Sequence, residues 1–424
     1  GREGGHLGGT GSIVRYHLTA DLPGLDDQTE SPNLLADNEN DLAYHVVCSR
    51  DRPGGQPADG LEPLETCWMT AQFERHPPDQ MPLEYRLMLE RLQAFQRDID
   101  RHAAKLEAGH NSLLGDQPPM EPPAAARRVD QFFSLADQLA MHYQKRVTLG
   151  LRATHLIAVL MGLCFVIYSE FDVSEIYVLG FLGLFFFGLA LFLLGERREW
   201  HRKYLDYRAL AEGLRVQLYW NLAGVVETHS AIFAYDNFLQ KQDVDLGWIR
   251  HVMRSASLHR DRMHAPDPGW LDWVIHEWVG AVQNGRGQLA YYRDKARQKA
   301  RVHRRTEWLG NICLWSGIAI AILLVVNSDR MDDAQQRVWL VLMGVLPLVA
   351  AVRSAYAHKK ADKELIKQYR FMEQVFSNAR RLLDAAADAR HRRRILRALG
   401  NAALEEHAEW ILVHRERPLE HSRL

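Results

Sequence analysis

Several features that mark enzymes, metalloproteins and nucleic-acid-binding proteins are missing from this 424-residue sequence. It has four cysteines, none in a CxxC pair, which excludes a zinc ribbon or a disulfide scaffold and fits a reducing compartment. Its 52 basic and 53 acidic residues nearly balance, and no domain is basic enough to suggest nucleic-acid binding. No Gly-x-Ser-x-Gly or Gly-Lys-Ser/Thr motif occurs, and His276-Glu277 lacks the second histidine of a metalloprotease helix. We therefore expect no enzymatic activity, no metal site and no nucleic-acid partner.

Charged residues are also absent from four long stretches, and this absence indicates the class of protein. The four uncharged apolar runs have 17, 20, 21 and 15 residues and are Ala153–Ser169, Ile176–Gly195, Trp308–Ser328 and Val338–Val352. A helix needs about 20 residues to cross the hydrocarbon core of a bilayer. The fourth run reaches this length through Ala357 if the Arg353 side chain extends to the headgroups. The sequence predicts four membrane-spanning helices.

Charges beside the runs predict the orientation of the chain in the membrane. Lysine and arginine number 18 on the outer flanks of the two pairs of runs, and only 2, Arg330 and Arg337, lie beside the short loops within the pairs. Cytoplasmic segments of membrane proteins carry the excess of basic residues. Both termini and the central segment are therefore expected in the cytoplasm, and both short loops on the opposite side.

The two halves of the chain carry similar segments in the same order. Gln138-Leu-Ala-Met-His-Tyr143 precedes the first pair of runs, and Gln288-Leu-Ala-Tyr-Tyr292 precedes the second. After each pair comes a Tyr-Arg dipeptide with a glutamate about one helical turn later, beginning at Tyr207 and at Tyr369. Matches in the same order around two hairpins indicate a duplication. We predict a mainly α, integral membrane fold with two tandem two-span hairpin units and long cytoplasmic helices.

The segments outside the runs are predicted to be helical, with a different region near the N-terminus. Leucines every four residues indicate a packed amphipathic helix, at Leu210, Leu214, Leu218 and Leu222. Near the N-terminus a glycine-rich loop, Gly8–Ser12, precedes the apolar segment Ile13–Leu18, and Ala43–Cys48 is predicted to be a short buried strand. This region forms only a partial α/β domain. We expect most of that domain to lie upstream of this sequence; the alternative is a lone tail.

The two-span hairpins between long helices resemble the SLATT family of bacterial membrane effectors. The matching segments are Trp278-Val279 with Gln288-Leu-Ala-Tyr291-Tyr292, and Ala211-Glu-Gly-Leu-Arg-Val-Gln-Leu-Tyr-Trp220. This resemblance covers about 130–385, and the chain carries two copies where the family has one. Gly8-Gly-Thr-Gly-Ser12 and Tyr44-His-Val-Val-Cys48 look like the last part of a SLOG-type nucleotide-sensing domain. Some SLOG relatives are hydrolases with a glutamate where this sequence has Arg15, so the resemblance implies sensing rather than hydrolysis.

These resemblances imply a domain order and a function. The predicted order is 1–75, the end of a SLOG-like sensing domain; 76–128, a helical linker; 129–225, the first SLATT-like unit; 226–280, a helical connector; 281–390, the second unit; and 391–424, a helical tail. The implied function is a homo-oligomeric, ligand-gated pore or membrane-perturbing effector of antiphage defence in a bacterial inner membrane. A nucleotide or NAD-derived signal would open it. A membrane-anchored nucleotide-processing enzyme and a non-conducting scaffold are the alternatives.

Three sets of residues are candidates for these roles. The ligand-binding candidates are Gly8, Gly9, Thr10, Gly11 and Ser12, because backbone N–H groups of a glycine-rich loop can bind phosphate. Polar residues inside a bilayer usually face protein or water, so the pore-lining candidates are Thr154, His155, Ser169, Asn311 and Ser316. Interhelical hydrogen bonding is the alternative role for these five. The short loops predict an outer acidic vestibule of Glu170, Asp172, Glu175, Asp329, Asp332 and Asp333.

Overall fold

The computed structural model of the protein is mainly helical. It describes residues 10–19, 42–49, 51, 54–57, 60–109, 111–115, 118–171, 175–225, 238–239, 244–257, 268–281, 285–327 and 330–415. Across these residues the helices are α1 (Thr10–Thr19), α2 (Leu83–Ala108), α3 (Ala124–Glu170), α4 (Ile176–Arg197), α5 (Trp200–Ala223), α6 (Gly247–Ser257), α7 (Pro268–Val274), α8 (Gly287–Asn327), α9 (Asp333–Lys359), α10 (Asp362–Ala385) and α11 (Ala389–Arg415). A 3-10 turn, Val244–Leu246, precedes α6, and a π-helical turn, Ile275–Val279, follows α7.

The described residues divide into two compact units. The first contains those within 1–136, 209–265 and 407–424, and the second those within 137–208 and 266–406. Helices α3, α5 and α11 contribute residues to both units. The four apolar runs all belong to the second unit.

A small antiparallel sheet lies in the first unit, where the sequence predicts a partial α/β region. Its strands are β1 (Ala43–Val46), β2 (Thr66–Met69) and β3 (Arg75–His76), in the order β1-β2-β3. Tyr44 lies opposite Trp68, with ring centroids 4.6 Å apart. The predicted strand is confirmed over Ala43–Val46, but its predicted burial is wrong, because Tyr44 is 50% exposed and residues of β1 alternate between half-buried and exposed. Such alternation is typical of an antiparallel sheet with one solvated face.

The glycine-rich segment near the N-terminus differs from its prediction as a loop. Helix α1 begins at Thr10, so Gly11 and Ser12 occupy its first turn, and Gly8 and Gly9 lie outside the described residues. The apolar residues that follow continue the helix, and Leu18 is fully buried. Helical periodicity of the apolar residues, rather than strand alternation, therefore governs this segment.

The core of the first unit is built around the second half of α5. The predicted leucine stripe is confirmed, since all four of its members, Leu210, Leu214, Leu218 and Leu222, are buried. Trp220 and Trp248 are also buried, and the ring of Trp248 lies 5.3 Å from that of Phe95 in α2. One buried polar group here spans two helices: the Gln217 side-chain nitrogen donates to the Met253 carbonyl oxygen at 2.8 Å. This bond satisfies the donor of a buried amide and ties α5 to α6.

A partly buried ion cluster joins three separate segments of the first unit. Arg415 near the end of α11 makes two hydrogen bonds to the Asp245 carboxylate, at 3.0 and 3.1 Å. Arg91 in α2 lies 3.5 Å from the same carboxylate. A guanidinium and a carboxylate in this two-bond geometry form one of the stronger kinds of ion pair in proteins. The cluster holds the last turn of α11 against α2 and the 3-10 turn.

Candidate functional site

The second unit contains four helical segments long and apolar enough to cross a bilayer. They lie in α3, in α4 with α5, in α8, and in α9 with α10. The fourth run, only 15 residues by sequence, lies within the 27 residues of α9, which extend about 40 Å at 1.5 Å per residue. The prediction of four apolar helices is confirmed, and their lengths are compatible with a multi-pass membrane protein.

The apolar runs leave large hydrophobic side chains uncovered. Phe165 and Phe186 are each 62% exposed, Trp315 is 67% exposed and Val325 is 79% exposed. Water-soluble monomers rarely expose contiguous apolar surface of this kind. Hydrocarbon chains or a second protein surface would cover it without loss of hydrogen bonds, because each helix satisfies its own backbone groups.

Glycines allow close contacts between α3 and α4 and between α8 and α9. A β-carbon placed on Gly188 of α4 would lie 3.4 Å from the Ile157 side chain of α3, and one on Gly180 would lie 3.8 Å from the Cys164 sulfur. In the other pair, a β-carbon on Gly317 of α8 would lie 3.1 Å from the Pro347 ring of α9. Small residues of this kind permit tight packing where helices cross in lipid.

Helices α3 and α9 also pack closely against each other. A β-carbon on Gly162 would overlap the Leu348 side chain, and one on Gly344 would lie 3.6 Å from Val166. Nearer the other end of the contact, the ring of His155 meets that of Tyr356 edge-on at 5.1 Å. These contacts fill the space between the first and fourth runs with side chains.

The predicted pore-lining residues fall into two groups. Three of them form hydrogen bonds within their own helix: the Thr154 hydroxyl donates to the Gly150 carbonyl oxygen at 2.6 Å, His155 Nδ1 lies 2.7 Å from the Leu151 oxygen, and the Ser169 hydroxyl donates to the Val166 oxygen at 3.0 Å. Such local bonds satisfy a polar side chain without water. Asn311 is exposed and Ser316 is half-buried, and no hydrogen bond from either side chain is recorded among the described residues.

The acidic residues of the two short loops are only partly described. Glu170 is half-buried at the end of α3, Glu175 is exposed just before α4, and Asp332 and Asp333 are exposed at the start of α9. Asp172 and Asp329 lie outside the described residues. The outer acidic vestibule stays a prediction.

Two corresponding positions interrupt the helices just beyond the second and fourth runs. The chain takes left-handed backbone conformations at Glu199, between α4 and α5, and at Ala361, between α9 and α10, with φ of 50° and 49°. These residues, which we call the two elbow residues, are 162 positions apart, the same offset as Tyr207 and Tyr369. Non-glycine residues adopt this conformation at a cost of about 1–2 kcal/mol.

An ion pair lies beside each of the two elbow residues. At the first, Arg202 bonds to Glu199 at 2.6 Å and to buried Asp206 at 2.7 Å. At the second, the Lys299 ammonium of α8 lies 3.4 Å from the Asp362 carboxylate.

Aromatic contacts join the helix that enters each pair of runs to the helix that leaves it. The rings of Tyr143 and Tyr207 are 5.8 Å apart, and those of Tyr292 and Tyr369 are 6.2 Å apart. Burial raises the pKa of the Tyr369 hydroxyl, and it also raises that of the Tyr204 hydroxyl, which accepts a hydrogen bond from Gln144 at 3.2 Å. Tyr204 and Tyr369 therefore stay neutral at physiological pH.

Chemistry-bearing side chains are sparse in the described part of the chain. No group of three or more His, Cys, Asp or Glu residues within it could hold a metal ion. His276 Nδ1 lies 3.2 Å from the Glu277 carboxylate, and the Cys67 sulfur lies 3.8 Å from His45 Nδ1 on the neighbouring strand. The Arg286 guanidinium lies 4.0 Å from the same Glu277 carboxylate, so the first pair belongs to a small surface ion cluster.

Comparisons with protein-family models, with curated proteins and with solved structures found no match. The fold and the candidate site define a helical protein whose four apolar helices are compatible with membrane insertion. The elbow residues are the part of the site that sequence reasoning missed. Their only advance signal is the shared offset with the Tyr-Arg dipeptides, because neither glutamate nor alanine marks a left-handed position.

Proposed function

We propose that the protein is a multi-pass membrane effector that forms a ligand-gated pore or otherwise perturbs the bilayer. The observation that carries this proposal is the set of four apolar helices with large uncovered hydrophobic side chains, joined to charged helices beyond both ends of each pair. The resemblance to SLATT and SLOG proteins supports a role in bacterial antiphage defence and control by a nucleotide or NAD-derived signal. The basic flanks favour cytoplasmic termini.

The tandem arrangement of two hairpin units is supported by matched local structure. The elbow residues share the offset of the Tyr-Arg dipeptides. In each half a tyrosine of the entering helix also contacts the dipeptide tyrosine, although Tyr292 lies one residue before the position equivalent to Tyr143. A duplicated unit repeats its bends at the same positions because each copy folds under the same local constraints. Both copies have the same orientation, which implies a pseudo-axis along the membrane normal.

A pore would have to form between chains. Side chains fill the contacts of α3 with α4 and α9, and those of α8 with α9, so one chain encloses no wide aqueous path there. Asn311 lies on an exposed face of α8 that also carries Trp308 and Trp315. An amide inside hydrocarbon needs a partner, and a second copy of this face would supply one. We therefore assign the subunit contact to this face of α8.

The mass of the purified chain in detergent tests the subunit contact. Asn311→Leu removes the amide from the proposed contact and should shift the oligomer toward monomer about five- to thirtyfold, which corresponds to interhelical hydrogen bonds of about 1–2 kcal/mol. Asn327→Leu is the matched control, because the Asn327 amide already donates to the Leu323 carbonyl oxygen at 3.1 Å. A wild-type chain that is monomeric at all concentrations would remove the pore from consideration and leave membrane insertion standing.

Current across a planar bilayer containing the purified full chain tests conduction and its control. Nucleotides and NAD fragments are added from each side in turn, and we expect one of them to open a current. Ser12→Glu should abolish that response, because a carboxylate in the first turn of α1 repels phosphate while stabilising the helix itself. A current that no ligand affects would support the pore and contradict its control by a nucleotide or NAD-derived signal.

A non-conducting membrane scaffold is the second candidate. It is favoured by the hydrogen bonds of Thr154, His155 and Ser169 within their own helix, which leave these groups with no need of a water-filled path. A scaffold would insert and assemble, yet give neither current nor leakage of dye from vesicles under any ligand.

A further inference from the structure

A groove beside α3 lies where this helix approaches its apolar run. It is a shallow, open depression of about 420 Å³ along one face of α3, lined by Gln144, Lys145, Thr148, Leu149 and Arg152. The first uncharged residue of the run, Ala153, follows directly. At 1.5 Å per residue, Lys145 and Arg152 are about 10 Å apart along the axis and, at seven residues, on nearly the same face. In a membrane-inserted chain the groove therefore extends across the headgroup layer, which is several ångströms thick.

The chemistry of the groove is cationic, polar and apolar in turn. Lys145 and Arg152 are exposed, and within the described part of the chain neither has a recorded ion pair. The Thr148 hydroxyl lies between them along the helix, and Leu149 is 68% exposed. Two cations with a hydroxyl complement a phosphodiester, and an exposed leucine beside them complements the glycerol and the start of an acyl chain.

We infer that this groove binds the headgroup of one anionic phospholipid from the cytoplasmic leaflet. The inference rests on the proposed membrane insertion and orientation, and it is independent of whether the protein conducts. Arg152, next to the hydrocarbon boundary, pairs with the phosphate, and Lys145 extends its flexible stem toward the same headgroup from the cytoplasmic side.

The second half of the chain lacks the same pair of cations. At the offset of 150 that relates Gln138 to Gln288, the counterparts of Lys145 and Arg152 are Lys295 and Val302. The Lys295 ammonium lies over the Tyr291 ring, 5.7 Å from its centroid. One lipid site per chain is therefore expected, rather than one per hairpin unit.

Lipid binding to the full chain in a neutral detergent tests the inference. Native mass spectrometry with phosphatidylglycerol and, separately, phosphatidylcholine should show one preferentially retained anionic lipid per chain. Lys145→Gln with Arg152→Gln should weaken that binding about 30-fold, since each cation near an anionic lipid surface contributes about fivefold. The matched control is Arg304→Gln with Arg305→Gln, which removes two exposed cations beside another apolar run and should leave the anionic lipid bound.

Three outcomes would overturn the inference, and a fourth would separate it from the proposed pore. Equal retention of both lipids, or equal losses in the two double variants, would mean that the groove makes no specific contact. Displacement of the lipid by inorganic phosphate or a soluble nucleotide at equal concentration would assign the groove to a soluble phosphate compound. A chain that retains the anionic lipid but carries no current would uphold the groove and reject the pore.

Discussion

The left-handed elbow at Ala361 leads to a quantitative prediction. Ala361 is buried, has φ of 49° and ψ of 38°, and lies between the last turn of α9 and the first turn of α10. Replacing it with glycine removes one buried methyl group, worth about 0.8 kcal/mol, and gives the unfolded chain more freedom, worth about 0.4–1 kcal/mol. The same change relieves about 1–2 kcal/mol of left-handed strain. The free energy of unfolding should therefore hardly change.

A matched alanine within a helix should behave in the opposite way. Ala379 is also buried and lies inside α10. Ala379→Gly loses its methyl group and about 1 kcal/mol of helix propensity, with no strain to relieve. We expect it to destabilise the protein by about 2 kcal/mol more than Ala361→Gly. Because both sites are buried alanines, the comparison cancels the burial term and isolates the backbone conformation.

Unfolding of the full chain in mixed detergent micelles, followed by far-UV circular dichroism, measures both variants. Equal losses for Ala361→Gly and Ala379→Gly would refute the assignment of strain to the elbow. The first elbow provides an independent check, in which Glu199→Gly and Glu199→Ala both remove the carboxylate that pairs with Arg202. Glycine should be more stable than alanine there, the reverse of their order inside a helix.

Three further predictions address packing, topology and ion preference. Gly162→Leu should destabilise the chain by about 1–3 kcal/mol because the new side chain overlaps Leu348, whereas Gly183→Leu, with no atom within 4 Å of its β-carbon position, should be nearly neutral; equal effects in an unfolding titration would contradict the close α3–α9 contact. In a cysteine-free background, Ser174→Cys should react with an impermeant thiol reagent in intact cells and Ser377→Cys only after permeabilisation, and the opposite pattern would invert the proposed orientation. Neutralising all six loop carboxylates should shift the reversal potential under a salt gradient toward anions, more strongly at low salt; an unchanged potential would place selectivity elsewhere. The six are Glu170, Asp172, Glu175, Asp329, Asp332 and Asp333.

The membrane-compatible helices were predictable because the hydrophobicity of a run is the sum of its residues and does not depend on distant contacts. Each run of 15 to 21 uncharged residues specifies a helix whatever its neighbours are, since hydrocarbon leaves the backbone no partner outside the helix. The leucine stripe of α5 is equally direct, because a residue every four positions falls on one face.

The elbows and the sheet depend on contacts that the local sequence does not specify. Glu199 and Ala361 adopt left-handed conformations although isolated residues of these types disfavour them, so the surrounding packing must hold them there. Strands β2 and β3 were missed, β2 because Thr66-Cys-Trp-Met69 has no alternation of apolar and polar residues, and β3 because it has only two residues. Helix α1 was missed because glycine and serine at its start resemble a loop.

The polar residues of the apolar runs differ in whether their own helix satisfies their hydrogen bonds. Thr154, His155 and Ser169 return their polar atoms to their own backbone, so they can face lipid, protein or water at little cost. Asn311 is different, because its amide is exposed on α8 and has no recorded bond within the described part of the chain. Of the five residues predicted to line a pore, Asn311 is therefore the one that most needs a hydrogen-bond partner from a second chain. If the protein conducts, the path should be sought at the α8 face between subunits, rather than inside the four closely packed helices of one chain.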